Sequence, residues 1–217
     1  MDLNIKILAI DCCLKLTGVA LMINDDVMHY QEDLGREQSR TLPLVTAEIL
    51  RRCNTTWNDL DYIALTNGPG YFTGIRVAAS YATGLAYACG KNIIPVSTFE
   101  LLPYIFYKKT KAKKILTLIY SGHGFVYGYC SDYLEPGEYS HEQIKAWLKY
   151  NPDATLISDD PDKTIAGEKV EKVVPDVVSL CELAYMNREH AIPPTYLKIL
   201  YFKAPQGVNN YSQERNE

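Results

Sequence analysis

Two stretches carry the residue types that could do chemistry. One is ILAIDCC, which ends in Asp11, Cys12 and Cys13; the other is NGPGYFTGIR, from Asn67 to Arg76. A carboxylate at the end of a strand can hold a divalent cation and its waters. Glycines ahead of a helix expose backbone N–H groups and the positive end of the helix dipole, so Gly68, Pro69, Gly70, Thr73 and Gly74 could cradle a phosphate. The Walker pattern, however, closes on Gly-Lys-Ser/Thr, and this stretch has no lysine. Arg76, one turn inside the helix, is its sole cation. The same residues also read as a tight turn followed by a helix capped by Thr73. Cys12 and Cys13 have the chemistry of nucleophiles, but thiols buried at a strand end are normally protonated and inert. The histidines His29, His123, His141 and His190 form neither HExxH nor HxxxH, and no GxSxG elbow occurs. No catalytic residue, metal ligand or cofactor is therefore expected.

Composition narrows the class further. The 217 residues, 47% hydrophobic and 22% charged, suit a globular protein of one large domain or two small lobes. The net charge of -4 argues against a free-standing nucleic-acid binder, so contact with RNA is expected through a basic partner. Six scattered cysteines without a CxxC pair point to a reducing, cytoplasmic setting. The N-terminus lacks the basic start of a signal peptide, and no uncharged apolar run approaches the roughly 20 residues of a membrane span. The basic run YKKTKAKK, Tyr107 to Lys114, reads as a solvated joint, with contact to tRNA as the alternative.

The elements that must position these residues follow from periodicity. Ile5–Ile10, Thr17–Ile23 and a run from Val27 are strands of a meander, with a turn at Asn24–Asp26. A helix fits Thr41 to about Cys53, with Thr41 as cap, Pro43 in its first turn, and Leu42, Val45 and Ile49 on one face. DYIALT is a strand, a helix runs from about Thr73 to Cys89 and closes on Gly90, NIIPVS is a strand, and a helix starts at Thr98. The order β-β-β-α-β-α-β-α matches the ribonuclease-H-like unit from which actin, large chaperones and sugar kinases are built. The expected fold is therefore α/β, ribonuclease-H-like or actin-like ATPase (ASKHA), in two lobes. Residues 1–107 form the first lobe, 108–202 a smaller, reduced second lobe, and 203–217 a polar tail. The second lobe reads as strands ILTLIY, FVYGYC and ATLIS, helices HEQIKAWLKY and DVVSLCELAYMN, and an extended PPTYLKI; it is too short for a full copy of the first. In actin-like ATPases an acid placed like Asp11 holds the metal, and a glycine follows it. Here cysteines follow, so Asp11 reads as the vestige of a nucleotide site, and a small actin-class ATPase or kinase using Asp11 is the alternative function.

The helix after the glycines is small-residued nearly all round, with Ala78, Ala79, Ala82, Gly84, Ala86 and Ala88. A helix on one sheet needs only about a third of its circumference apolar. This one is expected to be covered on two sides, by its own chain or by another.

ILAIDCC followed by TGVAL, NGPGYFTGIRVAASYATGLAY, PVSTFELL and PPTYLK together resemble the TsaB family, bacterial tRNA threonylcarbamoyladenosine biosynthesis proteins formerly called YeaZ and once labelled glycoprotease homologues. The resemblance covers most of residues 5 to 103 and a short piece near 194. The chain departs from the family in Cys12-Cys13, where Thr and a small residue are usual, in Tyr71 for Ser, in Tyr120-Ser121-Gly122 for Asp-Ala-Arg, and in Lys198 for Arg. The resemblance implies a non-catalytic scaffold that pairs with a larger paralogue, TsaD, is joined by the ATPase TsaE, and meets tRNA only indirectly; a homodimer is the other assembly. It implies pairing through first-lobe helices, at Leu42, Val45, Ile49, Ala78, Ala82 and Ala86. Gly68, Pro69, Gly70, Thr73, Gly74 and Arg76 would then set the start and angle of the second helix. Ala82→Arg is expected to abolish pairing and leave the monomer folded.

Overall fold

The first apolar runs form β1 (Lys6–Asp11), β2 (Thr17–Ile23) and β3 (Asp26–Glu32), an antiparallel meander. β1 and β2 are buried on both faces, which is why they read as unbroken apolar strings rather than alternating ones. α1 (Gln38–Arg52), β4 (Tyr62–Thr66), α2 (Phe72–Cys89), β5 (Asn92–Val96) and α3 (Thr98–Thr110) follow. β4 and β5 add in parallel, giving the order β3-β2-β1-β4-β5. The structure, a computed structural model, describes residues 5–202, so the expected tail at 203–217 lies outside the described residues.

Two helix starts differ from expectation. α1 begins at Gln38, ahead of Thr41, and α2 begins at Phe72, so Thr41 and Thr73 lie inside first turns and neither is the cap. Gly90 closes α2 with φ of 64°, the left-handed conformation glycine adopts at no steric cost. α3 starts with a capping box: Ser97 accepts from the Glu100 N–H, and the Glu100 carboxylate accepts from that of Ser97.

The second half carries β6 (Ile115–Gly122), β7 (Phe125–Cys130), β8 (Leu134–Ser140), α4 (His141–Tyr150), β9 (Thr155–Ser158), β10 (Val170–Lys172) and α5 (Val177–Met186). Its sheet runs β10-β9-β6-β7-β8, with the same antiparallel and parallel pairings as the first. All five strands of the first sheet have counterparts here. The reduction lies in the helices. Where α2 joins β4 to β5, a single 3-10 turn at Pro161–Lys163 lies between β9 and β10.

The layers run α1 and α2, first sheet, α3 and α5, second sheet, α4. Leu8, Ile10, Val19 and Leu21 face α1 and α2, while Ile7, Ala9 and Ala20 face α5 through Val177, Leu180 and Ala184. α4 covers the far side of the second sheet with Ile144. The halves interlock, because α5 packs on the first sheet and α3 reaches the second. At Gly18 the backbone of β2 comes so near α5 that a Cβ would lie 2.8 Å from that of Val177. Among the described residues no helix is long and apolar enough to cross a membrane.

Candidate partner interface

β1 and β4 lie side by side in parallel, so their ends bring Asp11 and Thr66 together. The Asp11 carboxylate accepts from the Thr66 hydroxyl and, at 2.9 Å, from the Cys13 N–H. It is 4% exposed, and burial raises its pKa against the lowering pull of those two bonds. Burial first, then the Asp11 charge, pushes the Cys12 thiol up to about 12 and that of Cys13 well above its usual range. Neither thiol is a nucleophile at neutral pH.

The turn after Asp11 fills the space in front of α2. The Tyr71 N–H donates to the Cys13 carbonyl at 2.7 Å. A Cβ on Gly70 would sit 2.1 Å from the Cys13 carbonyl oxygen, and one on Gly74 would sit 1.9 Å from that of Cys12. Glycine is required here so that the chain's own backbone can approach. The start of α2 faces carbonyl oxygens of its own chain. These contacts favour the tight-turn reading of the loop over the phosphate reading, with Asp11 tied into the same turn. Arg76 is engaged elsewhere: its guanidinium lies 3.7 Å over the Phe72 ring and donates to the Tyr201 hydroxyl at 3.1 Å. Tyr201 ends a strap held by Ile192 against Ile93, by Lys198 O, which accepts from Asn67 Nδ2 at 3.0 Å, and by the Leu200 N–H on Asn67 O at 2.9 Å. Gly68 O accepts from the Thr98 N–H at 2.8 Å, and Pro69 is buried beside it. Gly68 through Arg76 thus form a rigid seat at the start of α2.

Small residues let α2 lie close on the sheet. Ala78, Ala82 and Ala86 are 0% exposed, and Leu42 and Ile49 of α1 are 1% and 4% exposed. Ala78, Ala82 and Ala86 lie against the sheet, so their expected place on the contact surface is corrected to support beneath it, while Leu42 and Ile49, though nearly buried, line the grooves beside the helices. Val45, half-buried, stays at the rim. The periodicity found an apolar stripe but could not say that this stripe was the one facing the sheet.

The outward face was missed. Thr73, Arg76, Ser80, Gly84, Tyr87 and Ala88 are exposed along α2, and a Cβ on Gly84 would meet nothing within 4 Å. Tyr87 is 75% and Leu44 67% exposed, and Met28 and Phe72 also reach solvent. A groove of about 610 Å³ separates α1 from α2, lined by Leu42, Pro43, Phe72, Val77 and Tyr81 among others. A second, of about 300 Å³, lies between β3 and α1 along Met28, Tyr30, Leu44 and Val45. At its edge Glu48 is held down to about 2 by hydrogen bonds first from Arg51 and then from Arg52. Two apolar grooves beside a smooth helix ridge suit the close approach of another helix pair.

A family model described as "TsaD: tRNA N6-adenosine threonylcarbamoyltransferase" matches residues 30–147. The tRNA threonylcarbamoyladenosine biosynthesis protein TsaB of Escherichia coli (strain K12) is 34% identical over 145 residues, 66% of this chain and 62% of that protein. That of Buchnera aphidicola (subsp. Acyrthosiphon pisum) is 27% identical over 165 residues, 76% of this chain and 67% of that protein. The chain spans 49% to 67% of the length of the TsaB proteins it matches and 43% to 45% of the tRNA N6-adenosine threonylcarbamoyltransferases of Clostridium species that it also matches. The solved structure of YeaZ from Pseudomonas aeruginosa superposes with a TM-score of 0.74 at 20% identity, covering 91% of this chain and 99% of that one, a likeness of fold.

Proposed function

Because the chain belongs to the TsaB (YeaZ) family, within the wider group matched by the threonylcarbamoyltransferase model, we propose that it is a non-catalytic, cytoplasmic subunit of the system that forms threonylcarbamoyladenosine in tRNA. Its role is to hold the larger paralogue TsaD through the outward faces of α1 and α2, with the ATPase TsaE joining the pair. Most contact with tRNA falls to those partners, in keeping with a net charge of -4.

The observation that carries this reading is the α1/α2 face: exposed Leu44 and Tyr87, two grooves, and a ridge at Ser80, Gly84 and Ala88 open to close approach. A paralogue on the same fold would offer an equivalent helix pair, and a contact of two such pairs reaches the roughly 1,000 Å² of a specific interface. The support against chemistry of its own is geometric: Asp11 and the glycine loop are closed onto each other by the Cys12–Cys13 turn. Gel filtration of the purified chain mixed with TsaD is expected to give one heterodimer peak, with TsaE entering only when both are present. Separate elution at every salt concentration would overturn the proposal, and a homodimer that excludes TsaD would replace it.

A further inference from the structure

Away from that face, α3 and the second sheet enclose a cavity of about 440 Å³. Its walls are Phe99, Pro103, Tyr104 and Tyr107 of α3 with Tyr129 of β7, and Lys113 stands at its edge. The Phe99 and Tyr129 rings meet at 5.4 Å and form a floor. Tyr107, 47% exposed, lies at the mouth, with Lys111 Nζ over its ring 4.8 Å from the centroid. Glu100 is the acid on the lining, and its carboxylate is bound to the Ser97 N–H at 2.7 Å.

The cations beside the cavity are concentrated. Lys108, Lys109, Lys111, Lys113 and Lys114 lie in one short run of a chain whose net charge is -4. Lys108 is paired with Glu182 and Lys114 with Asp153. Among the described residues no ion pair holds Lys109, Lys111 or Lys113. Aromatic side chains interleaved with cations held in no ion pair match the chemistry of a base and its flanking phosphates. A volume of this size accommodates one nucleoside.

We propose that the cavity between α3 and the second sheet, with Lys111 and Lys113 at its mouth, binds a single-stranded RNA segment by stacking one base against Tyr107. The site adds one direct contact to a scaffold that otherwise leaves tRNA to its partners, and it rests on that reading only for the choice of RNA. The test uses the full chain and a fluorescein-labelled short single-stranded RNA, followed by anisotropy across a salt series, with inorganic polyphosphate as competitor. The native chain is expected to bind at low salt and to prefer RNA to polyphosphate. Tyr107→Ala is expected to weaken binding about tenfold. Tyr107→Leu, which keeps apolar volume but removes the ring face, should do the same. Lys111→Gln with Lys113→Gln should lower the salt slope by about 1.4, two phosphates' worth on a single strand. Lack of RNA binding, equal competition by polyphosphate, or unchanged affinity in the tyrosine variants each overturns the proposal. None of these residues lies on α1 or α2, so co-elution with TsaD stays unchanged in all variants, and the two proposals fail separately.

Discussion

Gly74 shows how a single atom decides the use of the loop. An added methyl would sit 1.9 Å from the Cys12 carbonyl oxygen, and a backbone carbonyl cannot swing aside as a side chain can. Gly74→Ala gains up to about 1 kcal/mol in helix propensity, yet the forced shift of a backbone carbonyl costs about 2–3 kcal/mol, the upper part of the overpacking range. Net destabilisation of about 1–2 kcal/mol is expected in urea unfolding; a neutral or stabilised variant would contradict the close packing. The loop itself was legible from its glycines, but what it faces was not, because Cys12 and Cys13 are distant in sequence and leave no local signal. Asp159, at the end of β9, gives a pH test. Burial, with the charge of Asp160 adding, raises its pKa from 3.8 to about 6. Between those values the folded chain keeps a proton that the unfolded chain releases, so stability falls as pH rises through that window and the penalty is complete above it. Two units correspond to at most about 3 kcal/mol. Asp159→Asn should therefore be more stable than the native chain by about 2–3 kcal/mol at pH 8 and no different at pH 4. A pH-independent difference in denaturant midpoints would refute the assignment.

At the level of elements, α2 has two small-residue faces with different fates. Ala82 rests on the sheet at 0% exposure, whereas Ser80 points to solvent. Ala82→Arg buries an unpaired guanidinium in a packed layer and should cost about 3–5 kcal/mol or prevent folding. Ser80→Arg should change stability by no more than about 0.5 kcal/mol. Equal melting temperatures for the two variants would contradict this assignment of the faces. The helix was legible end to end, from its small residues to Gly90, but its orientation was not, since an apolar period marks a stripe without naming what covers it. β8 escaped notice because Pro136 and Gly137 break a strand pattern, and both are tolerated on the edge that β8 occupies. β10, Val170–Lys172, is too short for any period to register.

Across the whole molecule, one strand order is used twice, and the copies differ in what lies outside them. The first sheet has two helices on its outer side; the second has α4, and a 3-10 turn lies where a second helix would stand. The unbroken order of strands and helices in the first lobe was readable because β1, β2, β4 and β5 are apolar runs set apart by turn residues and by helices of a different period. The interlock of α5 onto the first sheet was not readable, because it depends on Gly18 admitting Val177 from the far end of the chain. That interlock leaves the outer side of α1 and α2, with exposed Leu44 and Tyr87, open to solvent. The direct measurement is sedimentation equilibrium of the chain with TsaD, alongside Ser80→Arg. The native chain should form a heterodimer and the folded Ser80→Arg variant should remain a monomer. A native chain that stays alone, or a variant that pairs as well as the native one, would contradict the account.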